Sequence, residues 1–148
     1  MATDPLKEFR DRMANEKAPE PALAPSGLLV YQAFDAKDKV IRLDIHRAAG
    51  PSHALPYAYL LDVIYGRRFY TKFLLVYRFL LIEVKGKNLR EVILALKQHR
   101  AEYLQEYHPR EFEAPEADMP FIESIDIIVK DMSEAMHAAD STLDEPQP

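Results

Sequence analysis

Phe69-Tyr70-Thr71-Lys72-Phe73-Leu74-Leu75-Val76-Tyr77-Arg78-Phe79-Leu80-Leu81-Ile82-Glu83-Val84-Lys85 is apolar at nearly every position. Branched and aromatic residues dominate it, which is the composition of strands. Strands usually run roughly 3–10 residues. The run therefore predicts two strands, near 69–77 and 79–85, turning close to Arg78. No Gly, Pro or Asn marks that turn, so a single bent strand is the alternative reading.

Downstream, Gly86-Lys87-Asn88 ends the sheet. Asn88 is a suitable N-cap, and Glu91 lies three residues on, as in a capping box. Leu89, Val92, Ile93, Leu96, Tyr103, Leu104 and Tyr107 recur at helical spacing. Arg90, Gln98, Glu102 and Gln105 take the opposite face. The pattern predicts one long helix ending near Tyr107, because Pro109 disfavours helix in the residue before it. Residues 108–119 read as an acidic connector broken by proline. Ile125 to Val129 has strand propensity. Yet Phe121, Ile122, Ile125, Ile128, Val129, Met132 and Met136 follow a helical repeat, and Pro120 suits a helix start. Periodicity predicts an amphipathic helix over 120–138, followed by an acidic, disordered tail.

Upstream, Tyr57–Tyr65 reads as a strand and residues 48–56 as a loop around Gly50-Pro51. In Lys39–Arg47, Ile41, Leu43 and Ile45 alternate with Arg42, Asp44 and His46. That strand is expected to form a hairpin with Leu28–Phe34 across the turn Asp35–Asp38. Residues 17–26 carry three prolines and read as a linker. Residues 4–16 predict a short helix, with Asp4 as its cap and Leu6, Phe9 and Met13 on one face.

The expected fold is α+β. A small antiparallel meander of about five strands packs against one long amphipathic helix, with short helices in the N- and C-terminal extensions. Three regions follow: a helix and linker over 1–26, the core domain over 27–107, and an acidic extension over 108–148. The element order is compatible with a small curved sheet of the pleckstrin-homology-like kind. An apolar fraction of 48% can build a core without staples, and the absence of Cys excludes disulfides and thiolate chemistry. The N-terminus lacks a signal-peptide stretch, and the most apolar run, Phe73 to Ile82, is interrupted by Arg78. A cytoplasmic chain without a transmembrane segment is expected.

Charge is sorted along the sequence. Residues 1–65 hold 8 Lys/Arg and 9 Asp/Glu, residues 66–100 hold 9 and 2, and residues 101–148 hold 2 and 13. A basic middle attracts anions, and an acidic end can compete for it. Arg67, Arg68, Lys85, Lys87 and Arg90 are the candidate anion-binding residues, with Tyr65, Phe69, Tyr70 and Tyr77 interleaved as stacking platforms. The plainer reading is that these charges guard a hydrophobic run against aggregation.

Catalytic signals are weak. Asp44, His46 and His53, with Asp62 nearby, have the right types for acid–base work or metal binding, but no diagnostic spacing. His99 and Glu102 have a metal-ligand spacing on a single helix, His108 and His137 read as surface, and Ser52-His53 lacks a nucleophile elbow. The four glycines stand isolated at 27, 50, 66 and 86, so no phosphate-cradling loop exists. No cofactor is implied. The expected function is a non-catalytic interaction module or small subunit, with Phe121, Ile125, Ile128 and Met132 contacting a protein partner or a second copy of the chain. The alternative is an anion-binding module for nucleic acid or an acidic lipid surface.

Overall fold

A computed structural model describes residues 22–129. Of these, 47% lie in strands and 10% in helices, so the protein is mostly β rather than a meander against a long helix. The strands are β1 (Leu29–Val30), β2 (Phe34–Ala36), β3 (Arg42–His46), β4 (His53–Pro56), β5 (Leu60–Tyr65), β6 (Lys72–Tyr77), β7 (Leu80–Lys87), β8 (Ala101–Gln105), β9 (Phe112–Glu113) and β10 (Phe121–Val129). One α-helix, α1 (Arg90–Lys97), lies among them, and a 3-10 turn (Tyr57–Tyr59) leads into β5.

The predicted turn near Arg78 is present: β5, β6 and β7 form an antiparallel meander. A fourth strand, β10, adds antiparallel to β7, giving the order β10-β7-β6-β5. The second sheet has the order β2-β8-β3-β4, and β8 runs parallel to β3. The short strands β1 and β9 pair in parallel beside the sheets. The expected hairpin of residues 28–34 with 39–47 does not form, because β8 lies between β2 and β3. The hairpin partner of β3 is β4, in the segment read as a loop.

Phe73, Leu75, Ile82 and Val84 from one sheet meet Leu43, Ile45 and Leu104 from the other in a common core. Leu89, Val92, Ile93 and Leu96 of the helix segment close that core. These are the expected core positions, but the helix stops at Lys97. His99 adopts φ 56, the left-handed conformation that ends helices, and its ring stacks on Tyr57 at 4.7 Å. The Arg100 amide then donates to the Ala95 carbonyl. Glycine usually takes this position, so the sequence gives no stop signal. Asn88 does not cap the helix either. It sits at φ 57, and its side-chain amide donates to the carbonyls of Ala117 and Met119 at 2.9 and 3.1 Å.

The helix expected over 120–138 is also overturned, because Phe121–Val129 is a strand. A β-bulge between Ile122 and Ser124 inserts one residue. Ile122 and Ile125 therefore reach the core three positions apart, as they would on a helix. Ile128 faces the other side of the sheet, which completes the false helical repeat. Met132 and Met136, the helix expected over 4–16 and the acidic tail lie outside the described residues.

Two features hold β10 in place. Glu106 accepts the Ala48 amide at 2.7 Å through Oε1 and the Ile125 amide at 2.5 Å through Oε2. Gly86 lies against the β10 backbone, where an added Cβ would stand 1.8 Å from the Phe121 carbonyl oxygen. Only glycine permits that approach.

Candidate functional site

The candidate catalytic group does not assemble. His53 is opposite Ile45 on the neighbouring strand and so shares its core-facing side, while Asp44 and His46 face outward. His46 stacks on Tyr103 at 5.3 Å and meets Gln105 Oε1 at 3.3 Å. Asp62 lies on β5 in the other sheet. His99 turns onto Tyr57, and Glu102 pairs with Lys37 at 2.8 Å, so these two share no ligand. His108 Nδ1 accepts the Arg110 amide. Among the described residues, no three His or carboxylate side chains group as metal ligands.

The basic residues are partly brought together. The Gly86 amide donates to Thr71 O at 2.8 Å, and the Leu89 amide donates to Tyr70 O at 3.0 Å. These bonds tie the end of the loop that carries Arg67 and Arg68 to the segment between Lys87 and Arg90, at one end of the β10-β7-β6-β5 sheet. Lys85 is committed elsewhere: its ammonium lies 3.0 Å from Glu83, which holds it above the ordinary lysine range. Of the interleaved aromatics, Phe69 is exposed beneath Arg68 and Tyr77 is buried. Tyr65 meets Lys97 through its hydroxyl at 2.8 Å. The 114–119 loop, with Glu116 and Asp118, sits against Lys87 and Asn88.

The partner-binding candidates are dispersed. Ile125 is in the core, and Phe121 packs against Tyr31 and Tyr107. Ile128 borders a second apolar cluster on the outer face of the same sheet.

An unforeseen feature lies at the opposite end of that sheet. Leu55, Pro56, Tyr59, Tyr77, Arg78, Phe79 and Leu80 line an open cleft of about 440 Å³. Its walls are mostly apolar. Phe79 is 69% exposed and Tyr59 65%, although both are large apolar residues. Val129, 78% exposed, pairs with Leu80 beside them. Arg78 sits at the rim, with its guanidinium 5.6 Å from the Phe79 ring centroid. Among the described residues Tyr77 has no protein partner for its hydroxyl, and burial pushes that hydroxyl's pKa up to about 12. The only sequence signal for this cleft was an aromatic at a tight turn without glycine, proline or asparagine. The cleft and the basic corner thus occupy opposite ends of one sheet. Among the described residues, no helix is long and apolar enough to cross a membrane, which says nothing of crossing by strands. Compared with protein-family models, with curated proteins and with solved structures, the chain matches none.

Proposed function

We propose that this chain is a non-catalytic interaction module, a small subunit that binds a protein partner through the cleft between β4 and the β6–β7 turn. The supporting observation is the exposure of Tyr59 and Phe79 in the lining of an apolar cleft, with exposed Val129 paired to Leu80 at its edge. Clustered exposed apolar side chains with a polar rim are the usual mark of a docking surface. Aromatics and an arginine are also the side chains that anchor interfaces. The test is purification of the full chain from its own cells, wild type against Phe79→Asp. A stoichiometric companion protein held by the wild type and lost from the folded variant supports the reading. A companion retained at the same ratio by Phe79→Asp refutes it.

A second reading rests on the corner formed by Arg67, Arg68, Lys87 and Arg90. It is an anion-binding surface for nucleic acid or acidic lipid, with the 114–119 loop poised beside it. Such binding weakens steeply with salt. Titration of the full chain with a fluorescent single strand, and with anionic vesicles, at low salt tests it. Binding that the Arg67→Glu, Arg68→Glu double variant reduces supports this reading. No binding by the wild type sinks it.

A further inference from the structure

The cleft between β4 and the β6–β7 turn carries full charge of one sign only. The segments that meet there are residues 53–61, 76–82 and 127–129. Together they hold one arginine, Arg78, and no lysine, aspartate or glutamate. The carboxylates nearest in sequence are Asp62, Glu83 and Asp126. All three stand on the outer face of the sheet: Asp62 is opposite Val76, Glu83 is opposite Leu74, and Asp126 is opposite Glu83. Val76 and Leu74 belong to the outer apolar cluster, whereas Tyr77 and Leu80, which line the cleft, pack in the core between the sheets. On the second sheet, Arg42 and Asp44 share one face, opposite Pro56 and Ala54, and their charges offset each other. Among the described residues Arg78 makes no salt bridge. The cleft therefore presents apolar walls and a single uncompensated cation at the rim.

That cation is held in place. Arg78 and Phe79 are the two residues between β6 and β7, so both strand ends fix their backbone. The guanidinium rests by the Phe79 ring, and Tyr77 in the wall below is 4% exposed. A volume of about 440 Å³ falls within the roughly 300–1,000 Å³ of clefts that take a drug-sized group. Low-dielectric walls strengthen the field of a lone charge, which draws a carboxylate and repels an ammonium. A guanidinium also matches the two oxygens of a carboxylate.

We propose that the cleft takes a linear acidic segment of a partner protein. A bulky apolar side chain of that segment sits among Leu55, Tyr59, Tyr77 and Phe79, and a neighbouring Asp or Glu carboxylate meets Arg78. The proposal rests on the reading of this cleft as the docking surface and adds the chemistry of what docks. Exposed apolar surface continues past the cleft to Val129, beside Leu80. A chain running out of the cleft covers that margin, whereas a small amphipathic acid leaves it bare.

The probe is a phage-displayed library of linear peptides, selected on the full chain at low salt. Enriched peptides are then synthesised and titrated by fluorescence polarisation against wild type, Phe79→Asp and Arg78→Glu, with circular dichroism to confirm that both variants are folded. The enriched peptides should share an apolar residue beside Asp or Glu, and Phe79→Asp should abolish their binding. Arg78→Glu should weaken it at least fivefold, and replacing the peptide's acid by lysine should restore affinity for that variant. Replacing the acid by its amide should weaken binding to wild type at least threefold, a comparison that needs no variant protein. Peptides that need Phe79 but ignore Arg78→Glu and the amide overturn the proposal and leave the docking reading standing. A library that yields no peptide sensitive to Phe79→Asp also overturns it, while the companion-protein test above decides the docking reading by itself. Decanoate that displaces the peptides and binds more tightly than any of them would assign the site to a small amphipathic acid, and overturns the protein segment as occupant.

Discussion

Replacing Gly86 with alanine should undo the start of β10. The new Cβ would lie 1.8 Å from the Phe121 carbonyl oxygen, 2.9 Å from its carbon and 3.0 Å from Ile122 Cα. All three are backbone atoms, so no side-chain rotation relieves the clash. Ordinary carbon contacts need about 3.5 Å, so β10 must retreat by roughly 1.5 Å. That retreat strains two bonds made by Ile122: its amide donates to the Tyr31 hydroxyl at 3.0 Å, and its carbonyl accepts the Tyr107 amide at 2.9 Å. At about 1 kcal/mol each, these account for about 2 kcal/mol. Partial unpacking of the fully buried Ile122 adds about 1 kcal/mol more. A loss near 3 kcal/mol should lower the melting temperature by roughly 10–15 °C. Far-UV circular dichroism of the full chain measures it. Gly66→Ala is the control, since a Cβ there meets nothing within 4 Å. A G86A melting temperature within about 2 °C of wild type would refute the close approach of β7 and β10.

Further expectations concern buried polar groups. Tyr77→Phe should raise stability at pH 7 by about 1 kcal/mol, because it removes a buried hydroxyl without a partner among the described residues. Tyr57→Phe should lower it by a similar amount, since that hydroxyl donates to Ala101 O at 2.6 Å. Urea midpoints of the two variants, moving in opposite directions, check both. Burial raises the pKa of Tyr77 to about 12, above its ordinary value, so its contribution is complete below pH 10 and is lost as pH rises through 12. Y77F should therefore lose less stability than wild type over that window in alkaline melts. Glu106→Gln should cost about 1.5–3 kcal/mol, because one of two backbone donors would then face an NH2 group; an unshifted urea midpoint would contradict this.

The β5–β6–β7 meander was legible because each strand carries its own apolar run and the turn lies between two such runs. The buried face of α1 was legible from Leu89 to Leu96 for the same local reason. What escaped was non-local or disguised. Nothing near Phe34 or Arg42 shows that Ala101–Gln105 will enter between their strands. His99 ends the helix in a backbone state that its residue type does not announce. The bulge after Ile122 turned a strand's period of two into a helix-like spacing. At the site, the basic run was legible because it is local in sequence, whereas the pairing of Lys85 with Glu83 depends on side chains that charge counting does not resolve. The cleft escaped because Leu55, Tyr59 and Phe79 come from three separate elements, and periodicity does not report which strand ends meet.

The parallel pairing of β3 with β8 also sets a timetable for synthesis. Asp44 and Tyr103 are partners, yet about 60 residues separate them. A ribosome adding roughly 5–20 residues per second needs roughly 3–12 s to cover that interval. Throughout it, the β3–β4 hairpin has no central strand to join, although the β5–β6–β7 meander that opposes Leu43 and Ile45 is already made. The core then waits longer still for Ile122 and Ile125. Completion therefore waits for β10, and a nascent chain halted before Ala101 presents bare strand edges to whatever chaperone or neighbour it meets first.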